Sequence, residues 1–176
     1  MKNETTTIDA KTLTIYGNIM IVLAFLIPFL ISGPQLLTGS LVNCFLILST
    51  RFVDKKNHLT IAVLPSIAAV LNGLVFGKFT PFLVFFLPFI WLGNFVLIKS
   101  IIYFKDKLPL SFSMLLSVFF KTVILYFSAL IYFKLNLVPE IFLTAMGVFQ
   151  LITGAIGGLV FLGINRFTKN KNVIPA

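Results

Sequence analysis

PLSFSMLLSVFFKTVILYFSALIYFK (residues 109–134) opens on a proline, closes on Lys134 and carries one charge between them, Lys121. A helix needs about 17–25 mainly apolar residues to cross the hydrocarbon core of a bilayer. This stretch meets that length, and it has no polar face wide enough for a helix lying on a water-soluble protein. Read as a transmembrane helix, it places Lys121 close to mid-membrane.

The same reading extends along the whole chain. Apolar runs fall at about 15–32, 34–53, 59–77, 81–104, 109–133 and 140–165. Pro34, Pro81, Pro109 and Pro139 stand at the starts of four of them, where a missing N–H costs a helix little. Gly33 and Gly77 close the first and third, and Pro28, Pro65 and Pro88 inside runs predict kinks. Ile15 to Ser32 is longer than the apolar core of a signal peptide and no Ala-x-Ala site follows, so it reads as a retained helix. The 176 residues are 59% hydrophobic and 11% charged, with a mean hydropathy of +1.06. About 25% charge is usual for a domain that faces water. The expected fold is therefore a single all-α integral membrane domain over residues 1–176. It forms a bundle of six transmembrane helices in a multi-pass cell-membrane protein, in contact with lipid.

Charge sets the expected orientation. Eleven of the fourteen basic residues fall on one side: Lys2, Lys11, Arg51, Lys55, Lys56, Lys99, Lys105, Lys107, Arg166, Lys169 and Lys171. Lys78 and Lys134 fall on the other. Basic loops stay in the cytoplasm, so both termini are expected there, and an odd number of spans would mix the two groups. The net charge of +9 then needs no nucleic acid to explain it, and no basic stripe with interleaved aromatics lies outside the runs.

Lys121 is the residue most suggestive of function. A charge at that depth costs at least ~2.5–3.5 kcal/mol and normally faces the bundle interior with a partner. Glu4, Asp9, Asp54, Asp106 and Glu140 all lie in tails, loops or helix ends, so no carboxylate is in reach. Two readings follow: an anionic small-molecule substrate, such as a carboxylate, supplies the counter-charge, or the lysine is neutral or bonded to a carbonyl between packed helices. Helical spacing puts Ser117, Ser128 and Tyr132 in the same arc as Lys121, with Met114 beside them. Gln35, Gly39, Asn43 and Thr50 share a face in the second run, and Gln150 shares one with Gly147, Thr153, Gly154 and Gly157 in the sixth. Asn72 and Asn94 add an amide each to the third and fourth, and Trp91 lies one turn from Asn94, where it stacks on a ligand or simply packs. Single amides commonly bond across helices. Together, Lys121, Gln150, Asn43, Gln35, Asn72, Asn94, Ser128, Tyr132 and Trp91 are the candidate substrate residues of a pocket open to the outside.

Two patterns have simpler readings. Ala69, Gly73 and Gly77 repeat every four residues, as do Gly154 and Gly158, which suits close helix packing or docking to a partner. Gln35-Leu36-Leu37-Thr38-Gly39 is echoed by Gln150-Leu151-Ile152-Thr153-Gly154, by chance or by shared function. Enzymatic chemistry has little to work with. The single histidine, His58, is expected in a loop; Cys44 is the one cysteine; and no carboxylate pair, nucleophile elbow or Walker motif occurs. No metal or other cofactor is expected. Without a nucleotide motif or an intramembrane acid, any active transport calls for a separate motor.

Gly33-Pro34-Gln35-Leu36-Leu37-Thr38-Gly39 running on to Val42-Asn43, Leu92-Gly93-Asn94 and the 150–154 stretch resemble the membrane-embedded substrate-binding subunits (S components) of energy-coupling factor transporters. The resemblance covers nearly the whole chain. It implies high-affinity capture of a vitamin-like micronutrient from outside the cell. It further implies docking on a transmembrane coupling protein with two cytoplasmic ATPases, and toppling in the membrane to release the cargo. The chain departs from the family at the first helix, which offers Gly17 and Ala24 in place of the usual Ala-x-x-x-Ala docking face. The alternatives are a stand-alone secondary transporter or channel, or a non-transporting accessory membrane protein.

Overall fold

The computed structural model describes residues 10–31 and 33–169, with side chains for 14–31 and 33–166. Lys2, Glu4, Asp9, Ser32, Lys171 and both termini of the topology reading lie outside the described residues, as do the side chains of Lys11 and Lys169. The described chain is helical throughout its ordered elements: α1 Ala10–Leu30, α2 Gln35–Phe52, α3 His58–Asn72, α4 Leu83–Phe104, α5 Leu110–Lys134, α6 Ile141–Met146 and α7 Val148–Lys169. Short 3-10 turns over Lys55–Asn57 and Gly77–Phe82 lead into α3 and α4.

Length and composition make Gly77–Phe104, Leu110–Lys134 and Ile141–Arg166 long and apolar enough to cross a membrane, and Thr14–Leu30 is a shorter apolar helix. These stretches point to a membrane protein. The other two helices are less suited to lipid alone. α2 carries Gln35, Asn43 and Arg51, and α3 has only 15 residues, about 22 Å at 1.5 Å per residue. Large apolar side chains cover much of the exterior, among them Leu115, Phe119, Phe127 and Ile131 on α5 and Leu151, Leu159 and Val160 on α7.

The bundle packs α2 on α7, α4 on α5 and α5 on α7, with α1 against α2 and α3 and α3 against α4. One apolar core, at the end where α2 finishes and α3 begins, holds Leu46, Ile47, Ile61, Leu97, Ile98, Ile101 and Phe161. A second, at the opposite end, gathers Leu83, Phe86, Leu125, Ala129, Phe142 and Met146. His58 is not a loop residue. It starts α3 with 1% of its surface exposed. Its Nε2 lies 3.0 Å from the Val53 carbonyl, which can only accept, so Nε2 donates and Nδ1 receives the Lys99 ammonium at 3.2 Å.

Three sequence expectations are corrected. The sixth run is not one helix but two, divided at Gly147. A Cβ there would stand 2.6 Å from the Leu143 carbonyl and 3.0 Å from the Tyr126 ring, so only glycine fits. Gly73 and Gly77 do not extend a small-residue stripe from Ala69. The α3 helix stops at Asn72, and both glycines adopt positive φ (79° and 53°) in open space, as turn residues. Gly158 is buried but does not need to be glycine: a Cβ there would make ordinary contact, 4.0 Å from Ile47 and Met114. Gly154 is closely packed as expected, pressed on Val118, and Gly157 joins it: its Cβ would stand 2.7 Å from the Ser40 carbonyl and the Cys44 nitrogen. Gly17 and Ala24 of α1 are likewise used internally: Gly17 abuts the Phe52 carbonyl and Ala24 is buried.

Candidate functional site

A partly open cavity of about 90 Å³ lies between the helices, enough for several water molecules. Its walls come from the first half of α2 (Gln35, Thr38, Gly39, Val42, Asn43), the second half of α3 (Pro65, Ser66, Ala69) and α4 from its start to its middle (Leu83, Ile90, Asn94). Lys121 and Leu125 of α5, Val75 and Phe76 of the α3–α4 connection, and Met146 and Gln150 flanking the Gly147 break complete it. These segments run from mid-bundle, where Asn43, Asn94 and Lys121 stand about halfway along α2, α4 and α5, toward the end that carries Lys78 and Lys134. The 51–56 and 105–107 basic clusters are at the other end.

Lys121 is buried at 4% exposure. Its Nζ donates to Asn43 Oδ1 at 2.7 Å, linking α5 to α2. Asn43 Nδ2 donates to Thr153 Oγ1 at 3.2 Å, and the Thr153 hydroxyl donates to the Gln150 carbonyl at 3.3 Å. Because the relay ends on a backbone carbonyl, which only accepts, each bond in it has one possible direction. Asn43 therefore presents its oxygen to Lys121, and the lysine has an amide oxygen for a partner in place of a carboxylate. No acid lines the cavity. An amine has at least two N–H groups and this one makes a single hydrogen bond among the described residues, so at least one N–H remains for something else.

The two echoed stretches meet. Gln35 Nε2 donates to the Ala145 carbonyl at 2.8 Å, and Gln150 Nε2 donates to the same oxygen at 3.3 Å. Ala145 sits in the last turn of α6, where a helix leaves its carbonyls without intrahelical donors. The two glutamines thus close the end of the broken helix. Gly39, the last residue of the first stretch, lies against Thr153 of the second.

Asn94 has an unsatisfied half. Its Nδ2 donates to the Ala62 carbonyl at 2.8 Å, beside the stretch where Pro65 interrupts the α3 ladder. Its Oδ1 is buried and has no hydrogen-bond partner. Ser66, on the facing wall, accepts from Trp91 Nε1 at 2.8 Å and donates to the Val63 carbonyl at 2.9 Å.

Of the nine candidate substrate residues, the fold brings together Lys121, Asn43, Gln35, Gln150 and Asn94. The other four belong elsewhere. Asn72 is half-buried at the end of α3, where its Nδ2 donates to the Phe29 carbonyl and its Oδ1 accepts from the Leu74 amide. Ser128 is buried against its own helix, donating to the Leu125 carbonyl. Tyr132 packs edge-on against Phe86 and Phe89 beside the second core. Trp91 touches the site only through Ser66. Thr38, Ser66, Ala69 and Met146 line the cavity without having been singled out as substrate residues; Thr38 was signalled only by its place in the echo.

No family model, curated protein or solved structure matches this chain. Among the described residues, no group of three or more His, Cys, Asp or Glu is placed to hold a metal ion.

Proposed function

We propose that this chain is the substrate-capture subunit of an importer of the energy-coupling factor type, a six-span protein with both termini in the cytoplasm. It binds a small anionic, vitamin-like micronutrient from outside the cell. The observation that carries this reading is Lys121: a buried amine on the wall of a cavity between the helices, held by an amide oxygen, with no acid beside it. In a low-dielectric site, an incoming anion gains more from such a group than it would in water. The Lys121–Asn43–Thr153 relay orients the amine before the anion arrives, which reduces the ordering cost of binding. The echoed glutamines hold the Gly147 break, and the break gives the cavity its Met146 and Gln150 wall. The extension of the cavity toward the end that carries Lys78 and Lys134, together with the positive-inside orientation, favours access from the extracellular face.

Energy comes from a separate module in this reading, a transmembrane coupling protein with two cytoplasmic ATPases. The small residues of α1 and Ala69 of α3 are turned inward, so docking uses larger exposed apolar residues such as Ile19, Val22 and Leu26. The test is retrieval of the tagged chain from the membranes of its own host in mild detergent. A coupling protein and an ATPase pair are expected with it in fixed proportion. Recovery of the chain alone, with proton-driven uptake in liposomes, would support a stand-alone transporter instead.

A further inference from the structure

We infer that the cavity takes a small carboxylic acid that also carries a hydrogen-bond donor, with the carboxylate on Lys121 and the donor on Asn94 Oδ1. The inference rests on the capture reading and sharpens its substrate class. Two residues of unlike chemistry, each with hydrogen-bonding capacity left over, line one small space.

The Lys121 amine has N–H capacity left over after Asn43. Asn94 is 1% exposed, and its orientation is fixed because only an amide nitrogen can face the Ala62 carbonyl. Its oxygen is therefore an acceptor without a donor, and a buried polar group in that condition is costly. The neighbouring polar groups do not relieve it. Ser66 donates to Val63, Gln35 and Gln150 donate to Ala145, and Asn43 donates to Thr153, and none of them reaches the Asn94 oxygen. A ligand N–H or O–H is the complement of that oxygen.

The two groups lie on adjoining helices in close contact. A Cβ on Gly93, the residue before Asn94, would stand 3.2 Å from Lys121 Cγ. The acid and the donor therefore belong to one compact molecule. Val42, Ile90, Leu125 and Phe76 supply apolar walls for its body.

The experiment is isothermal titration of the detergent-purified chain with two probe series. One is benzoate with its hydroxy- and amino-derivatives, the other butanoate with its hydroxy-derivatives, each beside the matching neutral amide. In the best-fitting isomer, the acid with a donor should bind about 5-fold or more tighter than the acid without one. Either acid should bind about 30-fold or more tighter than its amide. Asn94→Leu should abolish the first difference and keep the second. The comparison within the parent protein decides the matter even if that variant fails to fold.

Equal binding of acids with and without a donor, preference for the amides, or no binding of any acid at millimolar concentration would each overturn the inference. Dodecanoate and phosphatidylglycerol, added in detergent, test a lipid source for the anion. Binding of these alone would overturn it too. Retrieval of the ATPase pair is read separately, so loss of the donor preference would remove this inference and leave the capture reading standing.

Discussion

Lys121 of α5 and Asn43 of α2 are joined by a 2.7 Å hydrogen bond in the interior of the bundle, although α2 and α5 are separated by 78 positions in sequence at this point. The bond ties the one basic residue near the middle of an apolar run to an amide that is itself anchored on Thr153 of α7. Three helices are thereby fixed around one amine. The account of function depends on what that amine is kept for.

Orientation can be checked without knowing any ligand. Single cysteines at Lys78 and Lys134, in a Cys44→Ser background, are expected to react with a membrane-impermeant maleimide in intact cells. A cysteine at Lys55 is expected to react only after the membrane is permeabilised. The opposite pattern would place the cavity on the cytoplasmic side and remove the capture reading.

The shared Ala145 carbonyl predicts non-additive mutations. Gln150→Leu removes the longer bond and should cost under about 0.5 kcal/mol, and Gln35→Leu about 1 kcal/mol. The double variant orphans the carbonyl at the helix break and should cost about 1–3 kcal/mol more than the sum. A double-mutant cycle on unfolding in detergent measures this. Simple additivity would mean that the two glutamines act separately.

The glycines of α7 should divide by their surroundings. Gly157→Ala drives a methyl into the α2 backbone at Ser40 and Cys44 and should destabilise by about 1–3 kcal/mol. Gly163→Ala meets nothing within 4 Å and should stabilise by up to about 1 kcal/mol, the ordinary helical preference for alanine. Thermal unfolding of the two variants provides the comparison, and equal effects would contradict the packing described at Gly157.

How far the sequence could be read follows from where each signal resides. A lysine inside an apolar run is conspicuous in one dimension, and the faces of α2 and α7 put Asn43 and Gln150 where Lys121 needed company. Tyr132 shares the arc of Lys121, but three turns along the helix it meets Phe86 and Phe89 instead of the cavity; the arc gives direction, not the neighbour at that height. At the Gly147 break a side chain would meet the Leu143 carbonyl and the Tyr126 ring, and the second of these belongs to another helix and leaves no mark in the local pattern. Ala69, Gly73 and Gly77 have the spacing of a packing face, yet α3 ends before the second of them. The echo of residues 35–39 in 150–154 was visible from the start, but its meaning lies in a carbonyl at Ala145, which neither stretch contains.

Lys121→Met tests the central claim most directly, since it keeps the side chain's bulk and removes its nitrogen. The probe is the tightest-binding acid of the benzoate and butanoate series, titrated calorimetrically into parent and variant. Removing one partner of a buried charged hydrogen bond costs about 2–5 kcal/mol, so affinity should fall by about 30-fold or more. Lys121→Arg should retain more binding, because the charge remains though its geometry differs. Equal affinity of parent and Lys121→Met, with the variant folded and no less stable, would contradict the account and leave Lys121 a packing residue.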